Sequence, residues 1–210
     1  RNIPLGHTPG VLSDAVADLT VLLVLAAARR MREGIKAVEN GTQLTNKTIG
    51  IVGLGRIGIA TAFRLKPFLG TNGRIIYTGV SDKPKPESLG ADKVPFNVLL
   101  EESDIICICC ALNEQTREMF KYDAFKKMKK NAILVNTSRG SIICQDDLLR
   151  ALSENLIGAV GLDVTTPEPL DHNHPLLKFP NVIIIPHLGS ATLETRNLMA
   201  KLAIENVLAG

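Results

Sequence analysis

The sequence contains no tryptophan and few aromatic side chains, which make up 4% of its 210 residues. Hydrophobic residues are 45% and charged residues 21%, a composition that excludes a disordered chain and predicts a buried core. The formal net charge is only +3. Basic residues occur in short groups that suit a solvated helix face, so we expect no nucleic-acid partner; one such group is Lys126, Lys127, Lys129 and Lys130.

Long hydrophobic runs are also absent. The longest, from Leu19 to Ala28, is too short to cross a bilayer, and Asp18 and Arg29 flank it, so we expect no membrane partner. No secretory signal is recognisable, and we expect a cytoplasmic location. The chain starts without an initiator methionine, as expected of a segment cut from a longer protein, so targeting signals could lie outside it.

Cysteine is scarce, and none of the four cysteines stands at a zinc-binding spacing. Because they lie in apolar, strand-like segments, we predict buried free thiols in a reducing compartment; they are Cys107, Cys109, Cys110 and Cys144. His172 and His174 lie two residues apart in a loop without further ligands nearby, so we expect no metal site.

A long apolar segment opens the chain. Ser13 or Asp14 can cap a helix from Ala15 to Val38, which Asn40 and Gly41 would end. Its apolar residues cover most of the helix circumference, so we expect contacts on more than one side, including a second subunit. We therefore assign residues 1–40 to an interdomain segment whose helix is a dimer element.

After Gly41, short apolar runs alternate with helical stretches. Predicted strands are Thr48–Val52, Arg74–Thr78, Asp104–Cys110, Ala132–Val135, Gly158–Leu162 and Val182–Ile185. Predicted helices are Ile57–Phe68, Val98–Glu102, Asp123–Met128, Asp146–Glu154 and Leu193–Leu208. Several strands are continuously apolar, which is typical of a parallel sheet covered on both faces. The pattern predicts an α/β fold, a Rossmann-like doubly wound parallel sheet over residues 41–210.

A glycine-rich segment, GIVGLGRIG, joins the first predicted strand to a helix. Gly53 would allow the tight turn, Gly55 would let the backbone approach a pyrophosphate, and Gly58 would let the helix pack on the strand. Arg56 and Ile57 begin the helix, whose N–H groups and dipole attract a pyrophosphate. The alternative is a purely structural turn, but the strand-and-helix context favours dinucleotide binding.

The end of the second predicted strand bears on the choice of coenzyme. An acidic residue there would bind the ribose of NAD and repel the 2′-phosphate of NADP, and this chain has Thr78-Gly79 instead. Ser81 can donate a hydrogen bond and Lys83 adds positive charge, so we predict a preference for NADPH. Asp82 is the argument for NADH, since it could be a displaced ribose ligand, and a merely solvated loop is the third alternative.

Three later segments carry polar residues close to predicted strand ends, the edge where such sheets bind ligands. Arg139 in NTSRG offers a permanently charged fork that suits a carboxylate. His187 in PHLGS can act as acid or base, and Asp163 or Glu168 in LDVTTPEPL could orient it. Singly, Arg139 could form a surface salt bridge, Glu168 could be an exposed loop residue, and His187 could be structural. Together, they predict a catalytic site.

These segments, in this order, resemble the D-isomer-specific 2-hydroxyacid dehydrogenases over almost the whole chain. The matching segments are HTPGVLSDAVADLTVLLVLAAARR, GIVGLGRIG, MKKNAILVNTSRGSIICQDDLLRAL, GAVGLDVTTPEPL, NHPLL and PHLGSAT. Within the family, the chain most resembles the glyoxylate reductase/hydroxypyruvate reductase branch. The resemblance implies an enzyme that reduces a small 2-oxoacid with NAD(P)H, and commonly a homodimer. Alternatives are a coenzyme-sensing corepressor-like module of the same fold, or a dehydrogenase for another D-2-hydroxyacid.

The resemblance also implies residue roles. By motif position Arg139 would bind the substrate carboxylate, His187 would donate the proton, and Glu168 would be its acidic partner. Cofactor contacts are implied at Ala111, Leu112, Thr137, Asp163, Gly189 and Ser190.

The chain also departs from the family pattern. The family's N-terminal substrate domain and last helical segment are absent, so we expect the isolated chain to bind coenzyme but turn over poorly. The link GTQLTNK is short and lacks the tryptophan-bearing loop usual for the branch, and Val80 stands where the branch tends to have arginine.

Overall fold

The protein is described here by a computed structural model that covers residues 6–35, 40–79 and 87–209. Its centre is a seven-stranded parallel sheet with strand order β3-β2-β1-β4-β5-β6-β7. The chain leaves β1 toward β2 and β3 on one side and returns to β4 on the other, which is the predicted doubly wound arrangement. The strands are β1 Thr48–Val52, β2 Arg74–Thr78, β3 Ala91–Lys93, β4 Ile105–Ile108, β5 Ile133–Asn136, β6 Ala159–Leu162 and β7 Val182–Ile184.

Helices cover both faces of the sheet. They are α1 Ser13–Ala28, α2 Met31–Gly34, α3 Arg56–Leu65, α4 Phe96–Glu102, α5 Tyr122–Lys127, α6 Gln145–Ser153 and α7 Leu193–Ala209. Side chains of α1 and α3 form one core cluster with the sheet, and side chains of α4, α5 and α6 form the other. None of the helices in the described ranges is long and apolar enough to cross a membrane.

Strand β4 shows why the strands are continuously apolar. Successive side chains of a strand point to opposite faces, and here each face is covered. Ile105 and Cys107 pack into the cluster with α1 and α3, whereas Ile106 and Ile108 pack into the cluster with α4, α5 and α6. A polar residue on either face would therefore lie in a core.

The prediction of one helix from Ala15 to Val38 is wrong. Helix α1 ends at Ala28, and Arg30 adopts a left-handed backbone with φ of 49° before the short α2. The returning chain explains the break, because the N–H of Thr42 donates to the Ala28 carbonyl at 2.6 Å and occupies the end of the helix. The predicted side-chain cap is also wrong, since Asp14 instead pairs with Arg64 of α3 at 2.8 Å; residues 36–38 lie outside the described ranges.

Strand β3 is absent from the sequence-based assignment. It has only three residues, Ala91, Asp92 and Lys93, and the two charged ones are exposed at the edge of the sheet. Its pairing with β2, in which Ile76 lies opposite Asp92, defines it, rather than any apolar pattern of its own.

The strand register aligns one edge of the sheet. Val52 of β1 lies opposite Ile108, Ile108 opposite Asn136, Asn136 opposite Leu162, and Leu162 opposite Ile184. The segments that follow these five residues therefore leave the sheet side by side. All of the predicted site residues in the described ranges lie in these segments or just beyond them.

Candidate active site

The glycine-rich turn after β1 has two glycines that the fold requires. Gly53 has φ of 95°, and a Cβ there would lie 2.6 Å from the backbone nitrogen of Cys110. A Cβ on Gly58 would lie 2.2 Å from the carbonyl oxygen of Gly53. Gly53 and Gly58 therefore let α3 and β4 approach the turn closely.

Gly55 differs, because a Cβ there would meet nothing within 4 Å and the residue is exposed. It precedes α3, which has no side-chain cap and no acidic residue in its first turn. The N–H groups of Arg56 and Ile57 at the start of α3, together with the open space at Gly55, fit a bound pyrophosphate.

A cleft of about 430 Å³ opens beside this turn. The glycine-rich turn and the ends of β2 and β4 form its walls, with Phe96, Ala111, Asn113 and Thr116 lining it. Asn113 Oδ1 accepts hydrogen bonds from the N–H groups of Gln115 and Thr116 at 2.9 Å. The sequence signal of this Asx-type turn is Asn113 followed by Thr116 three residues later.

The residues predicted to select the coenzyme fall outside the described ranges. Ser81, Asp82 and Lys83 belong to residues 80–86, and the structure therefore says nothing about them. Thr78 ends β2 directly beside the glycine-rich turn, since its carbonyl accepts the N–H of Gly53 at 2.8 Å. Thr78 and Gly79 both line the cleft, where an NAD site of this type would place a carboxylate.

His187 and Glu168 form the centre of the candidate active site. His187 Nδ1 lies 2.9 Å from Glu168 Oε2, and the two side chains are 51% and 38% exposed. The other carboxylate oxygen, Oε1, accepts the backbone N–H of Thr165 at 3.0 Å. Glu168 thus holds one ring nitrogen and leaves Nε2 of His187 for another partner.

Asp163 at the end of β6 fixes the segment that carries His187. Its side chain is buried, with 1% exposure, and accepts the N–H groups of Leu188 at 2.6 Å and Gly189 at 2.9 Å. Burial raises the pKa of Asp163, and the two backbone donors oppose that rise by favouring the charged carboxylate. A cofactor contact by Asp163, Gly189 or the half-buried Ser190 stays a prediction.

Arg139 follows β5, and two hydrogen bonds made by the side chain of Asn136 hold the turn that carries it. The fully buried Asn136 donates from Nδ2 to the Arg139 carbonyl at 2.9 Å and accepts the Ser138 N–H at 3.0 Å. Arg139 itself is exposed, and its Nη1 donates to the Ser138 carbonyl at 2.7 Å. Within the described part of the chain its guanidinium forms no ion pair.

Gly140 brings the arginine turn against the segment of Glu168. A Cβ at Gly140 would lie 2.0 Å from the carbonyl oxygen of Thr165. Only glycine permits this backbone contact, so Arg139 and the pair Glu168–His187 are parts of one packed unit. Sequence reasoning identifies Arg139 but misses both Asn136 and this role of Gly140.

Two residues predicted to contact the cofactor have other partners in this structure. Thr137 is buried, and its Oγ1 lies 2.8 Å from Oγ1 of Thr20 in α1. Leu112 packs against the core on the side of α4, α5 and α6, whereas Ala111 faces the cleft. Cofactor contacts at these three positions stay predictions.

The prediction of free cysteines is confirmed, since all four are unpaired. The prediction that all of them are buried holds for Cys107 but not for the other three. Cys109 and Cys110 follow the end of β4, and Cys144 directly precedes α6. Cys109 and Cys110 line the cleft beside the glycine-rich turn. Both residues are half-buried, and the loss of solvent around their sulfur atoms raises the pKa of Cys109 to about 12 and that of Cys110 to about 11.

The two loop histidines do not converge on a ligand. His172 is exposed, and His174 caps a short 3₁₀ helix, Pro175–Lys178, by accepting the Leu176 N–H at Nδ1. No group of three potential metal ligands occurs in residues 6–35, 40–79 and 87–209.

Comparison with known proteins decides the family. Residues 21–189 match the NAD-binding domain of the D-isomer specific 2-hydroxyacid dehydrogenases. The chain belongs to the D-isomer-specific 2-hydroxyacid dehydrogenase family. This confirms the sequence-based identification, the Rossmann-like fold and the assignment to an oxidoreductase class whose coenzyme is a nicotinamide dinucleotide.

Similar proteins cover the whole of this chain. It is 48% identical to a glyoxylate reductase/hydroxypyruvate reductase of Mus musculus and 47% identical to that of Homo sapiens, and it spans 67% of the length of each. The crystal structure of the TT0316 protein from Thermus thermophilus superposes with a TM-score of 0.91 at 40% identity, over 100% of this chain and 68% of that one. About a third of the length of these relatives thus has no counterpart here.

Proposed function

We propose that the complete protein reduces a small 2-oxoacid of the glyoxylate or hydroxypyruvate type to the 2-hydroxyacid. The observation that carries the proposal is the His187–Glu168 pair, packed through Gly140 against the turn of Arg139 at the same sheet edge as the coenzyme cleft. The names of the mammalian relatives support this substrate class.

The three side chains have separate tasks in this proposal. Arg139, with no ion pair of its own in the described ranges, would bind the substrate carboxylate with its planar fork and help to polarise the carbonyl. His187 would donate a proton from Nε2 to the alkoxide oxygen, while Glu168 holds Nδ1 and stabilises the charged ring. The nicotinamide coenzyme, when bound, supplies the hydride. The chain supplies orientation and charge.

For the coenzyme we propose a preference for NADPH over NADH. The support is the absence of a carboxylate at Thr78 and Gly79, beside the glycine-rich turn, together with the sequence positions of Ser81 and Lys83. The turn glycines Gly53, Gly55 and Gly58 and the first N–H groups of α3 would hold the pyrophosphate.

The test is coenzyme oxidation by the complete protein, with glyoxylate and hydroxypyruvate and with NADPH and NADH in parallel. Fast turnover that favours NADPH would support both parts of the proposal. Turnover with NADH alone would support the dehydrogenase activity but contradict the NADPH preference, and Asp82 would then be the proposed ligand of the ribose. Tight coenzyme binding without turnover of any D-2-hydroxyacid precursor would favour the coenzyme-sensing module instead.

We also propose that residues 1–40 form an interdomain and dimer segment, that 41–210 form the coenzyme-binding domain, and that the protein is a cytoplasmic homodimer. Support for the dimer comes from α1 and its neighbourhood, where Leu22, Met31 and Ile35 are 54%, 57% and 79% exposed. They line an apolar groove of about 500 Å³ beside β7. Leu22→Glu should convert a dimer to a monomer in sedimentation, and a monomeric unsubstituted protein would contradict the proposal.

A further inference from the structure

We propose that Gln145 is a positioning residue, which holds the Thr165–Glu168 segment so that Glu168 stays on His187. Gln145 is the first residue of α6 and lies 21 residues before Thr166 in the chain. Only the expected effect of Gln145 on turnover rests on the proposed function. The effect of Gln145 on the Glu168–His187 contact can be measured without any substrate.

The contact between Gln145 and Thr166 is double. Oε1 of the amide accepts the Thr166 N–H at 3.1 Å, and Nε2 donates to the Thr166 carbonyl at 2.7 Å. A side-chain amide offers one acceptor end and one donor end, so the pair of bonds fixes both the place and the orientation of Thr166. Asparagine carries the same amide group on a side chain that is one carbon shorter.

Thr166 lies inside the segment that determines where Glu168 points. Thr165 donates its N–H to Glu168 Oε1 at 3.0 Å, and its hydroxyl donates to the Pro167 carbonyl at 2.8 Å. Glu168 Oε2 then contacts His187 Nδ1 at 2.9 Å. A shift of Thr166 therefore moves the donor that holds one carboxylate oxygen while the other oxygen holds the imidazole.

Gln145 is itself well anchored. Helix α6 buries Leu148 and Leu152 in the core, which fixes the helix whose first residue is Gln145. Gly140, five residues before Gln145 in the chain, packs its backbone against the carbonyl of Thr165. The segment of Glu168 is thus held by both the arginine turn and the start of α6.

Loss of the amide should affect geometry more than stability. Thr166 is exposed, so water can replace both hydrogen bonds to its backbone once the amide is removed. Water, however, does not fix the position of the segment. A purely structural role for Gln145 would show the reverse pattern, with a lower melting temperature and an intact Glu168–His187 contact.

The test uses the complete protein and a spectroscopic signature of the contact. An imidazole proton shared between His187 Nδ1 and Glu168 should give a far-downfield proton NMR resonance, which Glu168→Gln should abolish. We expect Gln145→Ala to broaden or abolish the same resonance and to lower kcat about tenfold, with the KM for coenzyme unchanged. Asp146→Asn, which changes the exposed next residue of α6, should leave resonance and kcat as they are.

Gln145→Glu is the second variant, chosen because it keeps the length of the side chain. It can still accept the Thr166 N–H, but its other oxygen faces the Thr166 carbonyl, so we expect a partial loss of the resonance. Retention of the full resonance and kcat in both Gln145 variants would overturn the proposal. If the complete protein reduces no 2-oxoacid, the proposed function fails, while the NMR comparison still decides the role of Gln145.

Discussion

The backbone N–H of His187 donates to the carbonyl oxygen of Asp163 at 2.9 Å, which ties the candidate acid to the end of β6. His187 has a left-handed backbone, with φ of 53°, and the Asp163 carboxylate binds the next two N–H groups along the chain. Non-glycine residues rarely adopt this conformation, and they do so where the surroundings determine it. Asp163 therefore sets the backbone of the segment, and Glu168 sets the ring.

Replacement of Glu168 tests whether its carboxylate holds and stabilises the His187 ring. Glu168→Gln should lower kcat about 100-fold, because a neutral amide cannot stabilise a charged imidazole ring. Coenzyme affinity should stay unchanged, since Glu168 lies outside the coenzyme cleft. Steady-state kinetics and a coenzyme titration measure both quantities. The control is Glu101→Gln at an exposed position of α4, and equal kcat values for the two variants would refute the role of Glu168.

Substitutions of two glycines in the turn after β1 should distinguish a structural role from a role in coenzyme binding. Gly53→Ala should destabilise the protein by about 1–3 kcal/mol, because it combines a left-handed φ with a clash against Cys110. Gly55→Ala should leave the free energy of unfolding within about 0.5 kcal/mol of the original and weaken coenzyme binding. Thermal unfolding and coenzyme titration of both variants provide the test. Unchanged coenzyme affinity in Gly55→Ala would remove the turn from the binding site.

The elements that the sequence predicts best are those whose side chains are buried on two faces. The predicted bounds of β1 and β2 agree with the structure, because their apolar runs reflect a covered parallel sheet. The break after Ala28 is not predictable, since it depends on Thr42, which reaches the helix end only in the folded chain. The sequence misses β3 for a similar reason, as its pairing with β2 defines it.

In the candidate site, too, some residues can be proposed from the sequence, whereas others depend on contacts that form only in the fold. Arg139, Glu168 and His187 can be proposed from the sequence because each is a charged or titratable group beyond the end of a buried strand, and the structure brings Glu168 and His187 into contact. Asn136 and Gln145 carry no such signal, because each acts through hydrogen bonds to backbone groups that only the fold brings near. For Gln145 those groups lie 21 residues away.

The coenzyme preference can be tested at the end of β2. Gly79→Asp should weaken NADPH binding about tenfold or more, equivalent to about 1.4 kcal/mol, because a carboxylate repels the 2′-phosphate. NADH binding should hold or improve. Gly79→Asn is the matched control, since it has nearly the same size without the charge. Equal effects of Asp and Asn on both coenzymes would show that space, rather than charge, governs this position.

The thiols of the cleft should make stability fall in alkaline solution. The loss of solvent around these half-buried thiols raises the pKa of Cys109 to about 12 and of Cys110 to about 11, against an ordinary value of 9.0. Above that value the unfolded chain loses these protons while the folded chain keeps them, so the free energy of unfolding decreases as pH rises. The expected slope is about 1 kcal/mol per pH unit for each thiol.

Denaturant unfolding between about pH 8 and about pH 10.5 measures this slope. The double variant Cys109→Ala, Cys110→Ala should show a shallower decline than the unsubstituted protein, since lysine and tyrosine titration is common to both. Parallel curves for the two proteins would mean that these thiols ionise in the folded state as they do in the unfolded one.

His187 itself offers the most direct test of the account. In the complete protein, His187→Ala should lower kcat for hydroxypyruvate by about 10²–10⁴-fold, because the proton donor to the alkoxide is removed. Coenzyme affinity, measured in the same preparation, should stay unchanged, because the imidazole lies outside the coenzyme cleft. Turnover equal to that of the unsubstituted protein would contradict the assignment of the active site.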